Sequence, residues 1–197
     1  MMKNQLTGLI IAAGLSGRMD SFKPLLEINR KSFIQIIAEK LLFVCNEVII
    51  VTGFNSAKII DELRKKYLSD KCRVVFNKDY EKGMFSSLKC GLNNSNSSWY
   101  LYHFIDQPSL ENDFYLDFSK QISVKYNWIQ PVNKGRKGHP ILFDRFVSSM
   151  IASADDTVNL RDISRNKDIK KYYWEYNSGN IFEDIDKPDD YQRIKFI

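Results

Sequence analysis

The chain of 197 residues is poor in the residues by which many proteins reveal their chemistry. It has three cysteines, Cys45, Cys72 and Cys90, an odd number with neither close pairing nor metal-ligand spacing. That pattern excludes a disulfide framework and a structural zinc site, and burial on apolar faces is the simpler use of such thiols. Two histidines, His103 and His139, are too few for a histidine-rich metal centre. No apolar run approaches the ~20 residues that span a bilayer. The first such run ends in a loop at strand length, unlike a secretory signal. A soluble, cytoplasmic protein with no membrane partner is expected. Repeats, low-complexity tracts and Pro/Gly/Ser-rich linkers are also missing, so residues 1–197 are expected to form a single domain. The net charge of +5 comes from 29 basic and 24 acidic residues that are interleaved, as in Lys65-Lys66 against Asp61-Glu62. No nucleic-acid partner is expected, and a mild positive bias suits a small polyanionic substrate. With 44% hydrophobic and 13% aromatic residues, the chain has the composition of a globular protein.

What the sequence does contain is concentrated first in Leu9-Ile10-Ile11-Ala12-Ala13-Gly14-Leu15-Ser16-Gly17-Arg18-Met19, continuing to Lys23-Pro24. An apolar run of strand length gives way to small residues, then to a Gly/Ser loop, then to two cations. Small side chains let backbone N–H groups approach a ligand, and such amide groups favour anions. Arg18 and Lys23 would add positive charge beside them. These residues read as a phosphate-binding loop after the first strand of an α/β sheet. A tight turn bearing two surface cations explains the same composition. Neither G-x-G-x-x-G nor G-x-x-x-x-G-K-[ST] is present.

Beyond this loop, strands and helices alternate. Ser32 and Gln35 form the signature of a capping box for a helix with Phe33, Ile34, Ile36, Ile37, Leu41 and Leu42 on a broad apolar face. Glu47 to Thr52 reads as a buried strand, Ser56 as the cap of a second helix, and Arg73 to Phe76 as a third strand. Gly83 to Leu92 reads as a helix with Met84, Leu88 and Leu92 inward, and Ser86 and Ser87 in its first turn, where free N–H groups and hydroxyls can hold a ligand. Trp99 to Phe104 is the fourth strand, with His103 packed within it. Residues 111–124 read as a helix, Trp128 to Pro131 and Ile141 to Phe143 as short strands, and 144–154 as a helix. Lys171 to Tyr176 is an aromatic strand near a sheet edge, and Asp189 and Asp190 suit the first turn of a last helix. This alternation predicts a doubly wound, mostly parallel sheet with helices on both faces. In such sheets ligands bind beyond the carboxyl ends of the strands, where the Ala12–Lys23 loop falls.

Three further segments carry candidate chemistry. Asp106, at the end of a central strand and followed by Gln107-Pro108, can hold a hard cation, although Asp-x-Pro is also an ordinary turn. Asn133 to Phe143 holds Gly135 and Gly138 around Arg136-Lys137, then His139-Pro140; a basic β-turn accounts for it adequately. Asp184, Asp186 and Asp189 could simply surround the last helix start.

Taken together, Ile11-Ala-Ala-Gly-x-Ser-x-Arg-Met with Lys23, Gly83-Met-x-Ser-Ser-Leu-x-x-Gly-Leu, Asp106-Gln-Pro, Gly135-x-x-Gly-His-Pro-x-x-Phe and Asp184-Ile-Asp-Lys-Pro-Asp-Asp-Tyr resemble the MobA-like NTP transferase family. The likeness is greatest to the molybdenum cofactor cytidylyltransferases and covers nearly the whole chain. The sequence departs from the family pattern at Asp20, where glycine is usual, at Lys187 for threonine, and at Asp155 to Asp162, which lacks the glycines of a Gly-Asp-x-Gly segment. In that segment Asp155 or Asp156 and Arg161 stand in for the usual acid and arginine. The resemblance implies a Rossmann-like fold of the nucleotide-diphospho-sugar transferase type. It implies transfer of CMP from CTP to the phosphate of a small acceptor, most of all molybdenum cofactor, with release of pyrophosphate. Arg18, Lys23 and Asp106 would be catalytic. Ala12, Ala13, Gly14, Ser16, Gly17, Ser86 and Ser87 would bind the nucleotide, and Gly138, His139 and Pro140 the acceptor. Asp106 and Asp186 would hold Mg²⁺, or Mn²⁺, and a molybdenum hydroxylase would receive the product. Alternatives are transfer to a sugar phosphate or other phosphorylated alcohol, a cofactor carrier without catalysis, and a dinucleotide-dependent oxidoreductase, which the missing glycine fingerprint disfavours.

Overall fold

The computed structural model of the protein describes residues 5–15, 19 and 21–194; Ser16, Gly17, Arg18 and Asp20 lie outside the described residues. The first strand, β1 (Leu6–Ala12), is buried at every position. A two-residue hairpin, β2 (Glu27–Ile28) and β3 (Lys31–Ser32), turns through Asn29 and Arg30, both at positive φ. Then follow α1 (Phe33–Val44), β4 (Glu47–Thr52), α2 (Ser56–Lys65), β5 (Cys72–Phe76), α3 (Met84–Asn93), β6 (Trp99–Phe104) and α4 (Asn112–Ser119). The remainder comprises β7 (Trp128–Asn133), β8 (Arg136–Lys137), β9 (Ile141–Asp144), α5 (Arg145–Ser153), α6 (Leu160–Ser164), β10 (Lys171–Glu175) and α7 (Pro188–Ile194).

The main sheet has the order β10-β7-β9-β6-β1-β4-β5, with β8 paired to β7. β5, β4, β1 and β6 are parallel, β9 runs against its neighbours, and β10 pairs parallel to β7 at the edge. This is the mostly parallel α/β architecture that the alternation predicts. The chain moves outward from β1 through β4 to β5, then crosses back to β6 on the other side of β1. The direction of winding therefore reverses between β1 and β6, which opens a crevice at their carboxyl ends.

The pleat explains why helices cover both faces. Ile10 and Ile50 face α1, α2 and α4, packing with Ile34, Leu41, Ile59 and Phe114. Their neighbours Leu9, Ile49 and Val51 face α3 and α5, packing with Leu88, Leu92, Val147 and Ile151. Continuous apolar strands are what a sheet buried on both sides requires. The free thiols are structural: burial raises Cys72 to about 11 and also raises Cys45 and Cys90. Among the described residues no helix is long and apolar enough to cross a membrane.

Several local expectations differ from the structure. Ser32 does cap α1, accepting from Gln35 N–H at 3.4 Å, but the Gln35 amide turns to Glu39 at 2.8 Å, so the box is half formed. The cap of α2 is Asn55 in the left-handed conformation, while the Ser56 hydroxyl pairs with Thr52 at 2.8 Å. α4 stops at Ser119 rather than running to 124, as serine and the β-branched Ile122 and Val124 favour exit from a helix. Met84 is 53% exposed because it stands over the crevice, not in the core.

Candidate active site

The crevice between β1 and β6 is occupied by a cavity of about 270 Å³. Ala12 and Gly14 line it from the end of β1, and Phe104, Ile105 and Asp106 from the end of β6. Gly83, Met84 and Ser87 approach from the start of α3, and Lys23 and Asp186 close the remaining side. Residues far apart in sequence thus meet because each follows a strand end or opens a helix at one rim of the sheet.

A cation and two carboxylates organise the floor. Lys23 sits in a short 3-10 turn ahead of Pro24 and is buried, only 7% exposed. Its Nζ is 2.5 Å from Asp186 Oδ1 and 3.6 Å from Asp106 Oδ2. Burial pushes the Asp106 carboxyl above its ordinary range; Lys23 pulls it down, while Asp184 and Asp186 push it up. Asp106 Oδ1 is buried and has no hydrogen-bond partner among the described residues. The loops bearing the carboxylates are joined by Ile185 N–H donating to the Asp106 carbonyl at 2.9 Å and by Gln107 Nε2 donating to Asp184 Oδ1 at 2.6 Å. From behind, Lys40 of α1 donates to the carbonyls of Pro108 and Leu110 at 2.7 and 2.5 Å.

Two hard carboxylates facing one cavity, one with an orphaned oxygen, fit a small divalent cation. Mg²⁺ commonly takes one or two carboxylates and completes its shell with waters and substrate phosphates. No group of three or more His, Cys, Asp or Glu side chains suited to a metal occurs among the described residues.

The α3 side is built by Asn77, which sequence reasoning missed. Its Nδ2 donates to the hydroxyls of both Ser86 and Ser87 at 3.0 Å, and its Oδ1 accepts from Asp79 N–H. Ser87 lines the cavity, whereas Ser86 turns away and donates to Asp79 and Gly83 carbonyls. Ala13 is buried behind the cavity wall, its carbonyl accepting from Phe54 N–H. Tyr80 lines the β4 side of the cavity and packs where a Cβ on Gly53 would sit.

A second, open groove of about 950 Å³ adjoins the first and shares Met84 and Phe104 with it. Its walls combine aromatics (Tyr102, Trp128, Tyr173) with cations such as Lys137, Arg161 and Arg165. His139 lines this groove, its ring 4.4 Å from that of Phe104. Burial lowers His139 to about 4, so the ring is neutral at pH 7, and Nδ1 is buried without a hydrogen-bond partner among the described residues. Gly138 is held behind it, its N–H on the Pro131 carbonyl and its carbonyl on the Gln130 amide. Pro140, after a cis peptide bond, is buried. In the glycine-free segment, Asp156 pairs with Lys89 at 2.9 Å, while Asn159 and Asp162 form a capping box for α6 that carries Arg161 into the groove. His103 is a core residue: its Nδ1 meets the Phe104 carbonyl and its Nε2 the Tyr115 hydroxyl, both at 2.7 Å.

The model of the MobA-like NTP transferase domain matches residues 8–171. The molybdenum cofactor cytidylyltransferase of Escherichia coli (strain K12) is 28% identical over 189 residues, which cover 95% of this chain and 94% of that protein. A nucleotidyl transferase from Methanothermobacter thermautotroptrophicus shares the fold with a TM-score of 0.83 at 20% identity, over 98% of this chain and 97% of that one. A Mycobacterium tuberculosis H37Rv protein in complex with manganese shares it with a TM-score of 0.76 at 19% identity, over 98% of both chains.

Proposed function

From the premise that the chain belongs to the MobA-like NTP transferase family, and is thus a nucleotidyltransferase, we propose that it moves CMP from CTP to the phosphate of a small acceptor, molybdenum cofactor first among candidates, and releases pyrophosphate. The observation that carries this reading is the meeting of Ala12, Gly14, Lys23, Asp106 and Asp186 around one cavity at the winding reversal, beside a larger groove. The nucleotide would lie in the 270 Å³ cavity, its base toward Tyr80 and Ser87 and its triphosphate toward Lys23. Arg18, outside the described residues, would assist Lys23 there, and Ser16 and Gly17 would continue the loop.

Asp106 and Asp186 would hold Mg²⁺ or Mn²⁺ at the triphosphate. When bound, that ion supplies Lewis acidity and charge neutralisation at the phosphorus under attack. The chain's own part is placement. The Ala12–Gly14 backbone fixes the nucleotide, and Lys23 neutralises charge on the departing pyrophosphate. The groove presents the acceptor phosphate in line with the α-phosphorus, which converts an encounter between two anions into a positioned reaction. The acceptor phosphate is already ionised near neutral pH, so no general base is required, and neutral His139 would flank the acceptor along the groove wall. Aromatic walls and a cationic rim suit a flat, phosphorylated heterocycle, which favours a pterin phosphate over a sugar phosphate. The whole chain acts as one nucleotidyltransferase domain in the cytoplasm, and a molybdenum hydroxylase would accept the product.

One observation favours a different acceptor. The glycine-free Asp155–Asp162 segment forms a capped helix with Asp156 tied to Lys89, instead of an open glycine turn at the groove rim. Pyrophosphate release with molybdopterin against a panel of sugar phosphates tests the choice. Release confined to molybdopterin supports the proposal, and release confined to a sugar phosphate replaces the acceptor.

A further inference from the structure

Three acids, Asp106, Asp184 and Asp186, stand close enough for the charges of the latter two to raise the first. Only Asp106 and Asp186 line the cavity and approach Lys23. Asp184 is instead held by Gln107 Nε2 at 2.6 Å. Gln107 is itself buried, 1% exposed, and its Oε1 has no hydrogen-bond partner among the described residues. The amide is thus a buried group in the strand-end loop whose hydrogen bond goes to a segment 77 residues away. A carboxylate can only accept, so the nitrogen must face it.

We propose that Gln107 is a positioning residue that captures Asp184 and thereby presents Asp186, not Asp184, to the cation site. The Asp184-Ile185-Asp186 segment runs alongside the Asp106 loop, anchored by Ile185 N–H on the Asp106 carbonyl. Ile185 is buried, so its two neighbours in the chain cannot both follow it inward. Lys23 would attract either carboxylate, since each is an aspartate one residue from the anchor, and it is Asp186 that it meets at 2.5 Å while Gln107 holds Asp184. Repulsion among three carboxylates would also push the segment away from Asp106. A neutral donor fixed on Asp184 opposes that repulsion without adding charge that competes for Asp106 or Asp186. The inference rests on the reading that Asp106 and Asp186 hold the divalent cation.

The test is Mn²⁺ titration of the full chain with CTP present, followed by electron paramagnetic resonance of free Mn²⁺, on Gln107→Leu, Asp184→Ala, Asp184→Asn, Asp106→Asn and Asp186→Asn. Gln107→Leu and Asp184→Ala should each weaken Mn²⁺ by about 10–100-fold, the usual effect of losing a group that orients a ligand. Asp184→Asn keeps an oxygen acceptor for the amide and should bind within about twofold of the parent, by the same reasoning. In turnover, the KM for metal should rise in the first two variants while kcat at saturating metal is retained, a split that general loss of structure would not give. Asp184 lies on the exposed side of the pair, so its variants remain informative if Gln107→Leu folds poorly. Equal weakening by Asp184→Asn and Asp184→Ala with Gln107→Leu unaffected would make Asp184 a ligand and overturn the inference. Unchanged binding in Gln107→Leu and Asp184→Ala, with loss in Asp106→Asn and Asp186→Asn, would overturn it alone. Unchanged binding in those last two would overturn the metal reading and the inference together.

Discussion

Adding one methyl group at Gly138 should disable the groove without touching the nucleotide cavity. A Cβ there would lie 2.7 Å from both the Cβ and the carbonyl oxygen of Ile181, and 2.8 Å from its Cδ1. Ile181 is fully buried, so neither its side chain nor its backbone has space to retreat. Overpacking of this kind costs about 1–3 kcal/mol. The His139 N–H bond to the Ile181 carbonyl, 3.1 Å, would stretch or break, adding about 1 kcal/mol. For a chain of this size each kcal/mol moves the melting temperature by about 2–4 °C, so Gly138→Ala should melt roughly 4–16 °C lower. Because His139 rides on the same backbone, the KM for acceptor should rise well beyond the KM for CTP. Thermal denaturation and two-substrate kinetics on the purified variant measure both effects. An unchanged melting temperature with unchanged acceptor KM would refute the packing argument and the placement of His139 in acceptor binding.

Other perturbations have equally definite outcomes. Asp106→Ala should abolish turnover while leaving circular dichroism intact; retained turnover would remove Asp106 from the chemistry. Lys40→Met strands the carbonyls of Pro108 and Leu110, which should cost about 1–3 kcal/mol in chemical denaturation. Burial depresses His103 to about 3 and His139 to about 4, below the ordinary 6.5. Between those values the unfolded chain binds more protons than the folded one, so stability should be full above about pH 6.5 and fall as pH drops. The slope is at most about 1.4 kcal/mol per pH unit for each ring. Denaturation midpoints from pH 4 to 7 check it, and His139→Gln should flatten the profile.

Strands β4 and β6 are legible because their β-branched and aromatic runs are buried on both faces, and periodicity needs no tertiary information to mark them. β2, β3 and β8 are not, since segments of two residues are too short to show a period and pair only through tertiary context. The start of α2 escaped because Asn55 caps it by adopting a left-handed conformation, not by a side-chain bond. Within the site, Ala12, Gly14, Lys23, Asp106 and Asp186 stand out as motif residues, and the fold brings them to one cavity. Lys40 and Asn77 carry no such signal, and Gln107 is marked only as the middle of Asp106-Gln-Pro, without a sign of what it holds. The roles of all three lie in hydrogen bonds to partners up to 77 residues distant.

The measurement that bears most directly on the account is pyrophosphate release with Mg²⁺ and molybdopterin, comparing CTP, GTP, ATP and UTP as donors. The account predicts release that is selective for CTP and lost in Asp106→Ala. Failure of the protein to bind any nucleoside triphosphate, or turnover indifferent to Asp106, would contradict it.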